Sequence, residues 1–203
     1  GGTSKARFFS NFNFAHVGGA YHTTNDNTGV SSVKDYERNS QNFYFNFRTN
    51  LDVDINKYVS SYLNIATDII KNHGPGLNVT LPSVYSTALT IPATTYGPVT
   101  PTVEGADYEG GQVIVTEKQN NNPWAMVNRT GYYNNTLTNV YANFGIKVNL
   151  DFVTKGLSIT GDVAYKGYVD HNLHTSKNYR RYIFEATNDG GYNFVRKGTD
   201  DNT

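Results

Sequence analysis

Histidines and aspartates are the residues of this chain whose types and spacing could do chemistry. His171 and His174 stand three positions apart, but no acidic ligand accompanies them on a regular element. Solvated loop histidines are therefore a better interpretation than a metal site. Asp52 and Asp54 share one strand parity, and paired carboxylates can do acid–base work. Charges on a wet strand face explain that pair more simply, so the sequence predicts no enzyme and no cofactor.

Two further segments carry oxygen ligands of the kind that Ca²⁺ takes. Residues 26–29 read Asp-Asn-Thr-Gly and residues 200–202 read Asp-Asp-Asn. Neither segment has the ligand spacing of a calcium-binding loop, and both are typical of turns. The chain has no cysteine, which excludes disulfides and thiolate metal sites within it. We expect no bound metal.

Aromatic side chains in the segment 71–136 have the strongest binding potential. Flat aromatic faces bury the C–H surfaces of sugars, and neighbouring Asn side chains can bond the hydroxyls. Packing of the segment onto the rest of the fold is the simpler role for such rings, and it is favoured for Trp124, which follows Pro123. The candidate ligand contacts are Tyr85, Tyr96, Tyr108, Trp124, Tyr132 and Tyr133.

Alternation of apolar and polar side chains is the clearest pattern in the chain. From 139 to 152, apolar residues take every even position, and Asn, Lys, Asp, Gly and Tyr take the odd ones. A period of two places successive side chains on opposite faces of a strand. The run is about twice as long as the usual five or six residues, and matches the length that a tilted strand needs to cross a bilayer. Strands are predicted at about 6–17, 42–55, 59–70, 139–152, 157–169 and 179–186, with the start of a seventh near 192–196.

The connections between these strands alternate in length. Short turns are predicted at 56–57 and 154–156, whereas 18–40 and 71–136 are long and 170–177 is intermediate. Outer-membrane barrels have short periplasmic turns and long extracellular loops. The sequence thus predicts an all-β fold, an antiparallel meander of long strands that forms part of a transmembrane β-barrel with long extracellular loops. A secreted β-sandwich, with the apolar parity as its core, is the alternative.

The composition agrees with either of these folds. Hydrophobic residues make up only 37% of the chain, while Tyr (16), Phe (11) and Gly (19) are abundant, as in a barrel wall with a wet inner face and aromatic girdles. Lys+Arg and Asp+Glu both number 17, so the charge gives no support for a nucleic-acid partner. The chain contains no run of 18 apolar residues, so the sequence predicts no transmembrane helix. On the barrel interpretation the polar parity faces the lumen, and its candidate residues are Arg48, Asn50, Asp52, Asn143, Lys147 and Asn149.

The number of predicted strands has a consequence for closure. Six or seven strands cannot close a membrane barrel, because the smallest have about eight. An open sheet in lipid would leave the N–H and C=O groups of its edge strands without partners, which is unfavourable. The sequence also enters a strand at Arg7 and stops in a polar segment. We therefore expect a piece of a longer protein that supplies the remaining barrel strands.

Four short segments add a family likeness. Residues 1–9 read GGTSKARFF, residues 36–52 end in FNFRTNLD, residues 122–132 read NPWAMVNRTGY, and residues 155–161 read KGLSITG. In this order they resemble an entering strand, a YNFRSNLD strand, an NP…A…GY segment and a KGLSFKG strand start. Those features belong to the SusC-like TonB-dependent outer-membrane transporters of Bacteroidetes, the RagA/SusC family. The matches touch most of residues 1–169.

The resemblance implies a fragment of a large plugged barrel in the bacterial outer membrane. Such transporters import glycans or peptides together with a SusD-like lipoprotein, and TonB supplies energy through a plug domain. Nothing in the chain matches a plug, so we expect that domain to lie outside it. Transport of this kind involves no bond chemistry. The alternative function is that of a secreted β-sandwich adhesin or glycan-binding module, in which the aromatic segment holds the ligand.

Overall fold

The described residues of the chain fall into two compact units. The computed structural model describes residues 1–23, 37–76, 78–92, 95 and 97–198. Unit 1 comprises residues 1–17, 41–72 and 135–172, and unit 2 comprises the other described residues. In chain order the elements are β1 (Ala6–Val17), β2 (Gln41–Asp54), β3 (Val59–Pro75), α1 (Leu81–Thr90), β4 (Val113–Val115), α2 (Pro123–Asn128), β5 (Gly131–Asn149), β6 (Ser158–Ser176), β7 (Arg181–Ala186) and β8 (Tyr192–Lys197).

An antiparallel sheet of five long strands is the main feature. Its order is β1-β2-β3-β5-β6, so β1 and β6 are the edge strands among the described residues. In the register of β1 and β2, Phe12 lies opposite Phe47 and Arg7 opposite Asp52. Apolar residues therefore pair with apolar ones, and polar with polar, which keeps the two faces distinct. The prediction of a mostly β fold with an antiparallel sheet is confirmed.

Three strands extend further than the alternation predicts, and the first of them, β3, continues to Pro75 rather than ending at 70. β5 begins at Gly131 rather than near 139, and β6 continues to Ser176, through residues expected to form a loop at 170–177. Within this extension Asn135 Nδ2 donates to Asp170 Oδ1 (2.8 Å) and to Asn172 Oδ1 (2.6 Å). Polar side chains on paired strands stabilise the ladder without an apolar face. A search for apolar alternation therefore ends each strand too early.

The segment 71–136, predicted as one long loop, contains two helices and a strand. Thr80 begins α1 with a capping box, in which its Oγ1 accepts from Ser83 N (3.3 Å) and its own N–H donates to Ser83 Oγ (2.9 Å). Asn122 caps α2, and Pro123 occupies the first turn. The helices have 10 and 6 residues, which is too short for a helical period to stand out in the sequence.

Unit 2 has a small hydrophobic core of its own. The strands β4, β7 and β8 form a second sheet in that order, with β7 and β8 antiparallel. The pair β4–β7 is parallel, which corrects the expectation of a single antiparallel meander. A parallel pair needs a long crossover, and the chain between β4 and β7 is ample for one. The buried hydrophobic residues are Val113, Ile114, Val115, Ala125, Met126, Val127, Tyr182 and Phe194.

The helices are short elements within this architecture. α1 packs against α2, and Gln119 Nε2 donates to Thr90 Oγ1 at the end of α1 (3.0 Å). In the part of the chain that the structure describes, no helix combines the length and hydropathy needed to span a membrane.

Candidate functional site

The apolar face of the five-stranded sheet is uncovered within unit 1. Phe12 and Phe14 of β1 are 59% and 60% exposed, and Val163 of β6 is 71% exposed. Every buried hydrophobic residue in the described chain belongs to unit 2. A water-soluble sandwich buries such a face against a second sheet. An exposed apolar face of this size is instead typical of a surface that contacts lipid or another protein.

The opposite face of the same sheet carries the polar residues predicted from parity. On β2, Arg48 lies opposite Asn11 of β1. On β5, Lys147 and Asn149 line an open depression of about 650 Å³ next to the turn between β2 and β3. The Asn143 amide oxygen is buried and has no hydrogen-bond partner in the described residues. The predicted polar residues therefore lie on β2 and β5, as Arg48, Asn50, Asp52, Asn143, Lys147 and Asn149.

A side-chain hydrogen bond and a cation–π contact connect neighbouring strands across this polar face. Asn46 of β2 donates to the carboxylate of Asp68 on β3. The Lys166 ammonium of β6 lies 5.5 Å from the centre of the Tyr141 ring on β5. Amides, carboxylates and phenols in this arrangement offer both donors and acceptors to a hydroxyl-rich or peptide ligand.

Arg7 and Asp54 form an ion pair at one end of the polar face. Arg7 Nη1 and Asp54 Oδ2 are 2.9 Å apart, and both side chains are well exposed. Solvent screens a pair of this kind, so its contribution to stability is small.

The turn between β5 and β6 contains a carboxylate whose pKa is perturbed. The pKa of Asp151 is lowered because the Gly156 N–H donates to Oδ1 and Asn149 Nδ2 donates to Oδ2, each over 2.7 Å. Asp151 N in return donates to Asn149 Oδ1 (2.9 Å). These bonds close the turn, which explains the position of Asp151 without any catalytic role.

Two of the predicted ligand aromatics contribute to packing in unit 2. The Tyr108 ring meets the Phe194 ring edge to face, with their centroids 4.8 Å apart. Trp124 packs against the core formed by Val113, Val115 and Ala125. The Arg129 guanidinium lies 5.4 Å from the indole ring. Packing explains both rings, although each was a candidate ligand contact.

Two other predicted aromatics, Tyr85 and Tyr133, lie near a third tyrosine rather than in the hydrophobic core of unit 2. Tyr85 of α1 is 60% exposed. The pKa of Tyr21 is raised, mainly by burial and then by electrostatic interaction with Tyr133 and Tyr85, so each of these two phenols lies near Tyr21. Asn39 fixes Tyr21, because its Oδ1 accepts from Tyr21 N (3.1 Å) and its Nδ2 donates to Tyr21 O (2.8 Å). Tyr21, Tyr85 and Tyr133 form what we call the tyrosine cluster.

His73 lies beside Tyr132, another of the predicted aromatics. Its Nδ1 is 2.6 Å from Asn134 Oδ1, and its Nε2 is 2.8 Å from the carbonyl oxygen of Glu37. The Tyr132 ring is tilted against the imidazole at 6.1 Å. Neither Tyr21 nor His73 was predicted as a ligand contact, since no local pattern joins them to the rings around them. The remaining candidate, Tyr96, is outside the described residues.

The histidine pair of β6 is unsuited to chelation. His171 and His174 belong to a strand rather than a loop, and residues three apart on a strand point to opposite faces. Among the described residues, no three His, Asp or Glu side chains come together as a metal site requires. The oxygen-rich segments 26–29 and 200–202 are outside the residues that the structure describes.

Comparison of the chain with protein-family models, with curated proteins and with solved structures finds no match.

Proposed function

We propose that this chain is a wall segment of a SusC-like TonB-dependent transporter in a bacterial outer membrane. The exposed apolar face of the five-stranded sheet carries the proposal. Lipid is the solvent in which such a face is stable, and β2, β3, β5 and β6 have 14 to 19 residues, which is more than a tilted strand needs to cross a bilayer. The resemblance of the four sequence segments supplies the family.

In this proposal the polar face lines the lumen of a plugged barrel. Arg48, Asn50 and Lys147 would contact water and passing substrate, a glycan or a peptide. Further strands of the protein would pair with the edges of β1 and β6, because unpaired backbone groups in lipid are unfavourable. A plug domain would couple the barrel to TonB, and a SusD-like lipoprotein would be the extracellular partner.

Unit 2 contains the long connection between β3 and β5, which on the predicted orientation of the strands would be extracellular. Its tyrosine cluster offers flat rings and hydroxyl groups, which suit a sugar or peptide ligand better than Tyr108 and Trp124 do. We therefore assign the candidate ligand contacts of this unit to Tyr85 and Tyr133 of this cluster.

The secreted sandwich is the less suitable alternative. A sandwich would need the side chains on the face of Phe12 and Val163 to form a dry core. Both of these side chains are instead largely exposed within unit 1. The two proposals differ in what these residues contact, which can be measured directly.

Spin labels on the full-length protein in lipid vesicles test the proposal. Single cysteines are introduced by Phe12→Cys and Val163→Cys on the apolar face, with Lys166→Cys as the matched position on the polar face. We expect labels at 12 and 163 to collide with oxygen, which concentrates in lipid, and not with a water-soluble nickel chelate. The label at 166 should show the lower ratio of oxygen to nickel collisions. Labels at 12 and 163 shielded from both reagents would indicate a protein core and would refute the proposal.

A further inference from the structure

One charged side chain lies on the apolar face of unit 1. In the described strands of this unit, Lys71 alone among the Asp, Glu, Lys and Arg residues has the apolar parity. Arg48 and Asp68, for example, have the parity of the polar face. A charge on a lipid-facing surface is unfavourable unless it reaches water or a counter-charge. A single lysine in this position points to an anionic partner.

Lys71 borders a cleft between aromatic rings. The cleft has a volume of about 330 Å³, is open to the outside, and is lined by Phe14, Phe43, Phe45, Ile69 and Lys71. Its volume falls in the range of small-molecule pockets, which is about 300–1,000 Å³. Four of its five lining residues are apolar, so the occupant must be mostly hydrocarbon.

The rings around the cleft leave flat apolar surfaces exposed. Phe14 and Phe43 are tilted by 36° with their centroids 6.4 Å apart. His16 stacks on Phe43 at 4.4 Å and 14°, which adds a ring with hydrogen-bonding nitrogens at the rim. His16 and Lys71 thus both lie beside Phe43, one on each neighbouring strand.

We propose that this cleft binds an acidic lipid, with an acyl chain along the phenylalanine rings and a phosphate of the headgroup against the Lys71 ammonium. This inference rests on the proposed function, because an acyl chain reaches the face only from a bilayer. Residues 14, 43 and 71 lie towards the end of the sheet opposite the turn between β2 and β3. If that turn is periplasmic, Lys71 lies near the outer headgroups, which its long stem can reach.

Native mass spectrometry of the full-length protein, purified from membranes in a mild detergent, tests this site. The probes are phosphatidylglycerol and phosphatidylcholine with identical acyl chains. We expect the wild-type protein to retain phosphatidylglycerol preferentially. Lys71→Gln should lower that preference about fivefold, as for the loss of one lysine next to an anionic headgroup. Lys71→Arg should restore it, and Lys147→Gln on the polar face should leave it unchanged.

Four outcomes would overturn the lipid site. Equal retention of both lipids by the wild-type protein would remove the role of charge. Equal effects of Lys71→Gln and Lys147→Gln would show that the location of the lysine is irrelevant. Displacement of the lipid by inorganic phosphate alone would indicate a site for free phosphate. If the spin labels at 12 and 163 were in lipid but Lys71→Gln left the preference for phosphatidylglycerol unchanged, this inference would be refuted and the proposed function would remain intact.

Discussion

The side-chain amide of Asn122 donates a hydrogen bond to the backbone carbonyl of Ile114 over 2.7 Å, within the core of unit 2. The oxygen of the same amide accepts from the N–H groups of Trp124 (2.9 Å) and Ala125 (3.3 Å) at the start of α2. One planar group therefore fixes the first turn of the helix to β4. Since Asn122 is only 5% exposed, water cannot replace either set of bonds.

Replacement of Asn122 should loosen the core of unit 2. Asn122→Ala removes the cap and leaves the Ile114 carbonyl without this donor, so we expect the opening free energy of β4 to fall by about 1–4 kcal/mol. Asn122→Ser keeps an oxygen for the cap but cannot reach Ile114, and should lose less. Hydrogen exchange of the amides at 113–115 measures both effects. Equal losses in the two variants would show that the cap contributes nothing.

Two glycines in neighbouring strands test how closely the two faces of the sheet are packed, since Gly145 of β5 lies on the polar face and Gly161 of β6 on the apolar face. A Cβ at Gly145 would lie 2.2 Å from Cζ of Tyr62 and 2.5 Å from Oδ1 of Asp162, whereas a Cβ at Gly161 would meet nothing within 4 Å. We expect Gly145→Ala to displace the Tyr62 ring and to lower the free energy of unfolding by about 1–3 kcal/mol. Gly161→Ala should change it by less than about 0.5 kcal/mol.

Unfolding of the full-length protein in detergent, followed by heat or denaturant, measures both glycine variants. The comparison is between variants, so any stability that other parts of the protein contribute cancels. If Gly161→Ala were as destabilising as Gly145→Ala, the contact with Tyr62 would not be the cause.

The turn between β5 and β6 should weaken in acid. The pKa of Asp151 is lower in the folded state, so its hydrogen bonds stabilise the turn above the unfolded pKa of about 3.9 and are lost as the pH falls through the folded value. We expect the protection factor of the Gly156 amide, corrected for intrinsic exchange, to fall over that acidic window. Asp151→Asn keeps an acceptor without a titrating charge, and should abolish the dependence. An unchanged pH profile in this variant would assign the effect to another group.

The alternation of side chains predicted the sheet of unit 1 because that pattern is local. β1 has the predicted bounds, and Arg48 and Lys147 lie on strands whose polar parity the sequence already separates. In unit 2 the strands β7 and β8 were predicted close to their observed bounds, but the core escaped prediction because it joins segments far apart in the chain. Ile114 packs with Tyr182 and Phe194, and its strand is a run of three apolar residues without alternation. The tyrosine cluster escaped for the same reason, since Tyr21 meets Tyr133 only in the folded chain.

A charge placed on either face of β6 distinguishes lipid from water as the neighbour of the sheet. Val163 has the apolar parity and is 71% exposed, while the adjacent Asp162 lies on the polar face near position 145. In a bilayer, Val163→Lys should destabilise the membrane-folded protein by about 2–4 kcal/mol if residue 163 lies near the midplane. Asp162→Lys, with its side chain on the polar face, should change this stability far less. Refolding of the full-length protein into vesicles measures both variants. If water rather than lipid covers the apolar face, Val163→Lys becomes an ordinary surface substitution within about 0.5 kcal/mol of the wild type, and the membrane assignment fails.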